Sequence, residues 1–204
     1  MNTRKSIVIF GGGFNPPLNS HFSIAQQVIN QYQEVEKVIF IPVNDNYPKE
    51  GLIQIKHRYN MLKAVADKND NFVVSDMDMY GKKSLPTIEV VEQIQNQLKN
   101  KEIWILMGSD NLKEIHTWDK AEELVGQHKF LIMIRDEDKM EEIINNNNLL
   151  KKYKENFTEL KQEIRSNFSS TYVRAQLKNN KSIRYLVPDD VYEYIEKNKL
   201  YRSE

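Results

Sequence analysis

Two short segments of the chain carry residue types suited to holding phosphate. After an apolar run at residues 6–10, the chain reads Gly11-Gly12-Gly13-Phe14-Asn15-Pro16-Pro17-Leu18-Asn19-Ser20-His21 and passes at once into helical spacing. A strand that feeds a glycine loop and then a helix N-terminus offers unpaired amides and a positive dipole end to phosphate oxygens. The same residues also suit a tight strand-to-helix turn capped by Asn19 or Ser20, and glycines alone do not separate the two readings. The second segment is Ser169-Ser170-Thr171 with Arg174 three residues on. Hydroxyls and free amides at a helix start hold phosphate, and a guanidinium one turn later reaches the same anion, although an ordinary capping sequence has this composition too.

Between these segments lie residues with two readings each. Asp110, in Gly108-Ser109-Asp110, follows an apolar run and either accepts ribose hydroxyls or caps the next helix. Trp118 either stacks on a ring or fills core space. His57, Arg58 and His116 read as surface residues with no chemical role. With no cysteine, the chain has no disulfide, thiolate zinc site or cysteine nucleophile. Lys plus Arg and Asp plus Glu are equal at 29 each, so no global field recommends nucleic acid or an anionic membrane as partner, and a small anion needs only a local basic pocket. The N-terminal apolar run is too short for a signal peptide or a membrane span, and a cytoplasmic location is the expectation.

The elements that must position these residues follow from hydrophobic periodicity. Residues 6–10, 37–41, 72–74, 103–106 and 130–134 are short β-branched or aromatic runs, which read as strands buried on both faces. Between them, Phe22, Ala25 and Val28, then Met61, Leu62 and Val65, then Ile88, Val91 and Ile94 repeat with helical spacing. Alternating strands and helices predict an α/β domain with a doubly wound parallel sheet, whose ligands gather outside the strand carboxyl ends. A length of 204 residues predicts one domain over residues 1–204. The Asn-rich residues 137–157 suit either a surface helix or a mobile insertion, and two further helices are expected from residue 169 to Lys178 and from Pro188 towards Lys197.

Taken together, the segments resemble the nicotinate-nucleotide adenylyltransferase family, whose signature reads Gly-Gly-x-Phe-Asp-Pro-x-His-x-Gly-His. The resemblance continues through Ile41-Pro42-Val43 to Pro48-Lys49, Lys56-His57-Arg58-Tyr59-Asn60, Pro86-Thr87, Met107-Gly108-Ser109-Asp110 with Trp118, Phe168-Ser169-Ser170-Thr171-Tyr172-Val173-Arg174, and Tyr185-Leu186-Val187-Pro188. It implies a Rossmann-like nucleotidyltransferase fold. It also implies that ATP meets Gly11, Gly12, Gly13, Phe14, His21, Gly108, Asp110, Ser169, Ser170, Thr171 and Arg174, that the mononucleotide meets Lys49, Thr87 and Trp118, and that His21, Arg174 and Lys49 serve catalysis. The implied partners are ATP and nicotinate mononucleotide, with Mg²⁺ as cofactor and no protein metal ligand assigned; monomer and homo-oligomer both stay open.

The chain departs from that signature at three loop positions, where Asn15 replaces an aspartate, Leu18 the first histidine and Ser20 a glycine, and Gly13 stands at a variable position where the family carries a hydroxyl residue. At the ring end Pro86 replaces a tyrosine. Three readings follow: an adenylyltransferase for nicotinate mononucleotide in NAD biosynthesis, the same chemistry on another phosphate ester, or a nucleotide-binding relative without turnover.

Overall fold

The structure, a computed structural model, describes residues 5–161 and 169–202. Six parallel strands form one sheet: β1 (Ser6–Gly12), β2 (Val35–Pro42), β3 (Phe72–Val74), β4 (Glu102–Gly108), β5 (Lys129–Met133) and β6 (Phe157–Glu159). Their spatial order is 3-2-1-4-5-6, so the order reverses between β1 and β4, where open α/β sheets bind ligands.

Alternate strand residues supply two different cores. Ile7, Ile9, Ile103, Ile105, Met107, Phe130 and Ile132 face one layer with α3 (Thr87–Gln97) and α5 (Ala121–Gln127). Val8, Phe10, Val38, Phe40, Trp104, Leu106 and Leu131 face the other, with α1 (Asn19–Gln31) and α2 (Ile55–Ala66). A period of two that is apolar at every position is what a doubly covered parallel sheet requires. A third core joins α8 (Ser170–Lys178) and α9 (Asp189–Asn198) through Val173, Leu177, Val191 and Ile195 to Met61 of α2 and to Leu18.

The doubly wound fold therefore stands as expected, with differences in detail. β1 does not stop at Phe10, because Gly11 and Gly12 keep pairing with Ile41 and Pro42 of β2. The sixth strand has no counterpart in the apolar runs: only Phe157 of its three residues is buried, as suits an edge strand. Residues 137–157 are not an insertion of undefined structure but carry α6 (Met140–Asn145), α7 (Asn148–Lys152) and a 3-10 turn that lead into β6. Between β4 and α5 lie α4 (Ser109–Glu114) and a second 3-10 turn. Phe168 lies outside the described residues.

The surface reading of Arg58 is overturned. Its side chain is 0% exposed, and its guanidinium donates to Ile53 O at 2.8 Å, Gly13 O at 3.1 Å and Asp45 Oδ1 at 3.0 Å. Five donors in a rigid fork let one arginine bridge the glycine loop and the β2–α2 connection. His57 is half-buried against Tyr194, its Nδ1 3.1 Å from the phenol oxygen, whereas His116 is exposed as expected.

Candidate active site

A cleft of about 1610 Å³ opens at the carboxyl ends of β1 and β4. It is lined by every residue to which the resemblance assigns a substrate: Gly11, Gly12, Gly13, Phe14, His21, Lys49, Thr87, Gly108, Asp110, Trp118, Ser169, Ser170, Thr171 and Arg174. The first and last segments of the chain meet there directly. Ser170 Oγ donates to Pro16 O at 2.9 Å, and Arg174 donates to Asn15 O at 2.9 Å and to Thr171 Oγ1 at 3.3 Å. Ser169 caps α8, its hydroxyl accepting from the Tyr172 amide at 3.1 Å, which leaves the amides of Ser170 and Thr171 without an intrahelical acceptor.

The loop is held by aromatic packing. Phe14 lies in the left-handed region at φ 46°, a conformation that costs a non-glycine residue about 1–3 kcal/mol unless its surroundings enforce it. Its ring makes edge contacts with Phe10, Phe40 and His21 at centroid distances of 5.5, 5.8 and 5.1 Å, and Phe10 flanks His21 from a second side at 6.1 Å.

Neither Asn19 nor Ser20 caps α1 with its side chain. The cap position is Leu18, and the capping bond runs in reverse: the Leu18 amide donates to His21 Nδ1 at 2.9 Å, while the His21 amide donates to Leu18 O at 3.0 Å. Asn19 turns away and binds Tyr185 O at 2.8 Å. Because Nδ1 accepts, the neutral ring carries its proton on Nε2. Desolvation, reinforced by the positive charges of Arg135 and Lys49, pushes the His21 pKa down to about 3. His21 is thus a neutral N–H donor at ordinary pH, and Nε2 has no protein partner among the described residues.

Leu18 itself is 1% exposed and packs into the α8–α9 core. Asn15 is also buried. Its amide donates to Gly51 O at 2.7 Å, and its Oδ1 accepts from the Tyr201 hydroxyl at 2.8 Å and the Ile53 amide at 3.4 Å. The desolvated Tyr201 phenol is held well above the usual tyrosine range, so it stays a donor.

On the far side of β4, Arg135 pairs with Asp110 at 3.4 Å. A side chain at position 108 would place its Cβ 2.2 Å from Asp110 Oδ1 and 2.7 Å from Arg135 Nε, so only glycine lets both charged groups close over the end of the strand. Ser109 is fully buried, accepting from the Arg135 amide at 3.0 Å and donating to Asp138 at 2.8 Å. Lys49 approaches the loop where its Nζ would lie 3.6 Å from a Cβ on Gly13. Trp118 is half-buried, packed on the α3–α5 core with the remainder facing the cleft. Sequence reasoning missed Arg135, Asn15 as a structural junction, and Asp78 with Asn44, all polar residues in connections where no periodicity marks them. Among the described residues no three His, Asp or Glu side chains converge to hold a metal ion, and no helix is long and apolar enough to cross a membrane.

A 3-2-1-4-5-6 sheet with a glycine loop, a capped helix N-terminus and converging cations at its switch point defines a nucleotide-binding α/β protein. A model of the cytidylyltransferase-like family matches residues 9–176. The chain is 31% identical over 202 residues to a Clostridium tetani protein named "Probable nicotinate-nucleotide adenylyltransferase", covering 97% of this chain and 100% of the relative. A Caldicellulosiruptor bescii protein of the same name is 33% identical over 200 residues, covering 96% and 98%. In fold, the chain matches the solved Plasmodium falciparum nicotinic acid mononucleotide adenylyltransferase complexed with NaAD, with a TM-score of 0.79 at 21% identity over 97% of both chains. The chain belongs to the nicotinate-nucleotide adenylyltransferase family of cytidylyltransferase-like proteins.

Two predictions follow from the loop. Leu18→His, which restores the signature residue, places an imidazole in an apolar core; it should cost about 2–4 kcal/mol of stability and leave kcat no higher. A rise in kcat with an unchanged melting temperature would contradict this. Acid should also act through His21. Its folded pKa lies below the unfolded value of 6.5, so its contribution to stability is complete above pH 6.5 and is lost as pH falls towards 3. The slope in that window is about 1.4 kcal/mol per pH unit per proton. His21→Asn keeps an acceptor for the Leu18 amide, and its acid unfolding should take up about one proton fewer; equal slopes in both proteins would refute the assignment.

Proposed function

We propose that the protein transfers the adenylyl group of ATP to nicotinate mononucleotide, giving the deamido-NAD dinucleotide and diphosphate in NAD biosynthesis. The observation that carries this reading is the meeting of the glycine loop with the start of α8 through Ser170 and Arg174, in a protein of this family. A phosphate oxygen of the mononucleotide attacks the α-phosphorus of ATP as the bond to diphosphate breaks, with no covalent enzyme intermediate. The work left to the protein is positioning and stabilisation of charge.

The free amides of α8 and the hydroxyls of Ser169 and Thr171 hold the triphosphate, while Ser170 ties the helix start to Pro16 O and Arg174 spans the triphosphate and the loop. His21 Nε2–H donates to a non-bridging oxygen on which charge develops. Being neutral already, it needs no proton transfer to play this part. Lys49 brings positive charge to the phosphate that joins the two nucleotides. Asp110 accepts from the ATP ribose, Trp118 stacks on the pyridine ring, and Thr87 at the start of α3 faces the ring carboxylate. Among the described residues no side-chain cluster is built for a metal, and Mg²⁺ would be held by phosphate oxygens and water. Leu18 supplies no donor, and Pro86 leaves the ring stacked chiefly by Trp118.

The test is dinucleotide formation from ATP with nicotinate or nicotinamide mononucleotide, followed by product and diphosphate release. Turnover with preference for the acid is expected; calorimetric binding of both substrates without product would instead make the protein a binding relative. Trp118→Ala should raise the KM for nicotinate mononucleotide about tenfold and that for ATP much less. Equal effects on both would reduce Trp118 to a core residue.

A further inference from the structure

We infer that Asp78 is a positioning residue that fixes the mononucleotide half of the cleft, an inference that rests on the proposed acceptor. Asp78 lies in the connection between β3 and α3, is 3% exposed and reaches the cleft wall. Its Oδ2 accepts from the Asn44 amide at 2.7 Å and the Ser84 hydroxyl at 3.2 Å, and its Oδ1 accepts from the Leu85 amide at 3.0 Å. Asn44, equally buried, returns the contact: its side-chain amide donates to Asp78 O at 2.7 Å and to Gly81 O at 3.0 Å, and its Oδ1 accepts from the Asn46 amide at 2.9 Å.

A buried carboxylate is costly unless its lone pairs are met. Here they are met by groups from two separate connections rather than by a lysine or arginine. The connection after β2 carries Lys49, and the one before α3 leads through Leu85 and Pro86 into Thr87; both line the cleft. The carboxylate thereby sets the spacing between the cation for the mononucleotide phosphate and the helix start for its ring. Gly11 to Phe14, His21, Gly108, Asp110 and Ser169 to Arg174, the residues assigned to ATP, share no hydrogen bond with Asp78 or Asn44 themselves among the described residues; the nearest link runs from the Val43 amide to Gly12 O at 3.1 Å. The direct bonds of the Asp78–Asn44 pair therefore stay within the two connections that carry Lys49 and Thr87.

Asp78→Asn keeps the shape but turns an NH₂ group towards backbone donors. It should raise the KM for nicotinate mononucleotide about tenfold or more, leave the KM for ATP within about twofold and leave kcat at saturation within about threefold. Ser84→Ala removes only the hydroxyl contact and should shift the same KM about two- to threefold with folding intact. A role confined to stability would lower the melting temperature and move both KM values together, which would overturn the inference. An unchanged mononucleotide KM in Ser84→Ala would overturn it too, even if Asp78→Asn does not fold. If the wild-type protein makes no dinucleotide, the proposed activity fails separately, and the same comparison is made with calorimetric Kd values. A selective loss of nicotinate mononucleotide binding then supports the role of Asp78, and parallel or absent losses reject it.

Discussion

The hydrogen bond from the Leu18 amide to His21 Nδ1, 2.9 Å long, fixes the chemistry that the cleft can perform. It decides which imidazole nitrogen carries the proton, and it orients the ring between Phe10 and Phe14. The amide is itself held from behind, because the Leu18 side chain is an anchor in the core formed by α8 and α9. The position that holds a histidine in the family signature here acts through its backbone and its bulk. The helix that offers Ser170, Thr171 and Arg174 to the cleft therefore shares a core with the residue that orients His21, and packing at one end of the chain sets polar geometry at the other.

Buried polar side chains extend this arrangement into the connections, where backbone ladders stop. Arg58 joins the glycine loop to the chain before α2, and Asn15 joins it to Gly51 and to Tyr201 near the other terminus. Asn44 and Asp78 do the same for the connections after β2 and before α3. Each holds a loop in the same way: one desolvated group meets several partners, and removing that group leaves all of them unsatisfied. The outcome is a cleft whose donors are aligned before substrate arrives, as electrostatic stabilisation of a charged transition state requires.

Much of this was legible in the sequence, for definite physical reasons. The four longer strands appear as continuous apolar runs because both sheet faces are covered, the short edge strand β3 shows as Phe72-Val73-Val74, and α8 and α9 begin where Ser169 and Pro188 predict. The two segments that meet at the cleft stood out because glycine, hydroxyl and guanidinium groups gather at helix starts, a composition that each segment alone shares with an ordinary cap. β6 escaped because Phe157 is its one apolar residue, whereas the equally short edge strand β3 is apolar throughout. Arg58 and Asp78 escaped because a charged residue in a polar stretch looks the same whether it meets water or several backbone groups. Leu18 stood out as a departure from the signature, but its destination depended on which core the loop faces, and that is a tertiary property.

The state of the His21 ring is the most direct measure of the account. Imidazole ¹⁵N shifts of His21, followed from pH 8 to pH 5 without and with ATP, should show a neutral ring protonated on Nε2, no titration across that range, and a change at Nε2 when ATP binds. Titration near pH 6.5, or a proton on Nδ1, would contradict the claim that the Leu18 amide sets His21 as a neutral donor.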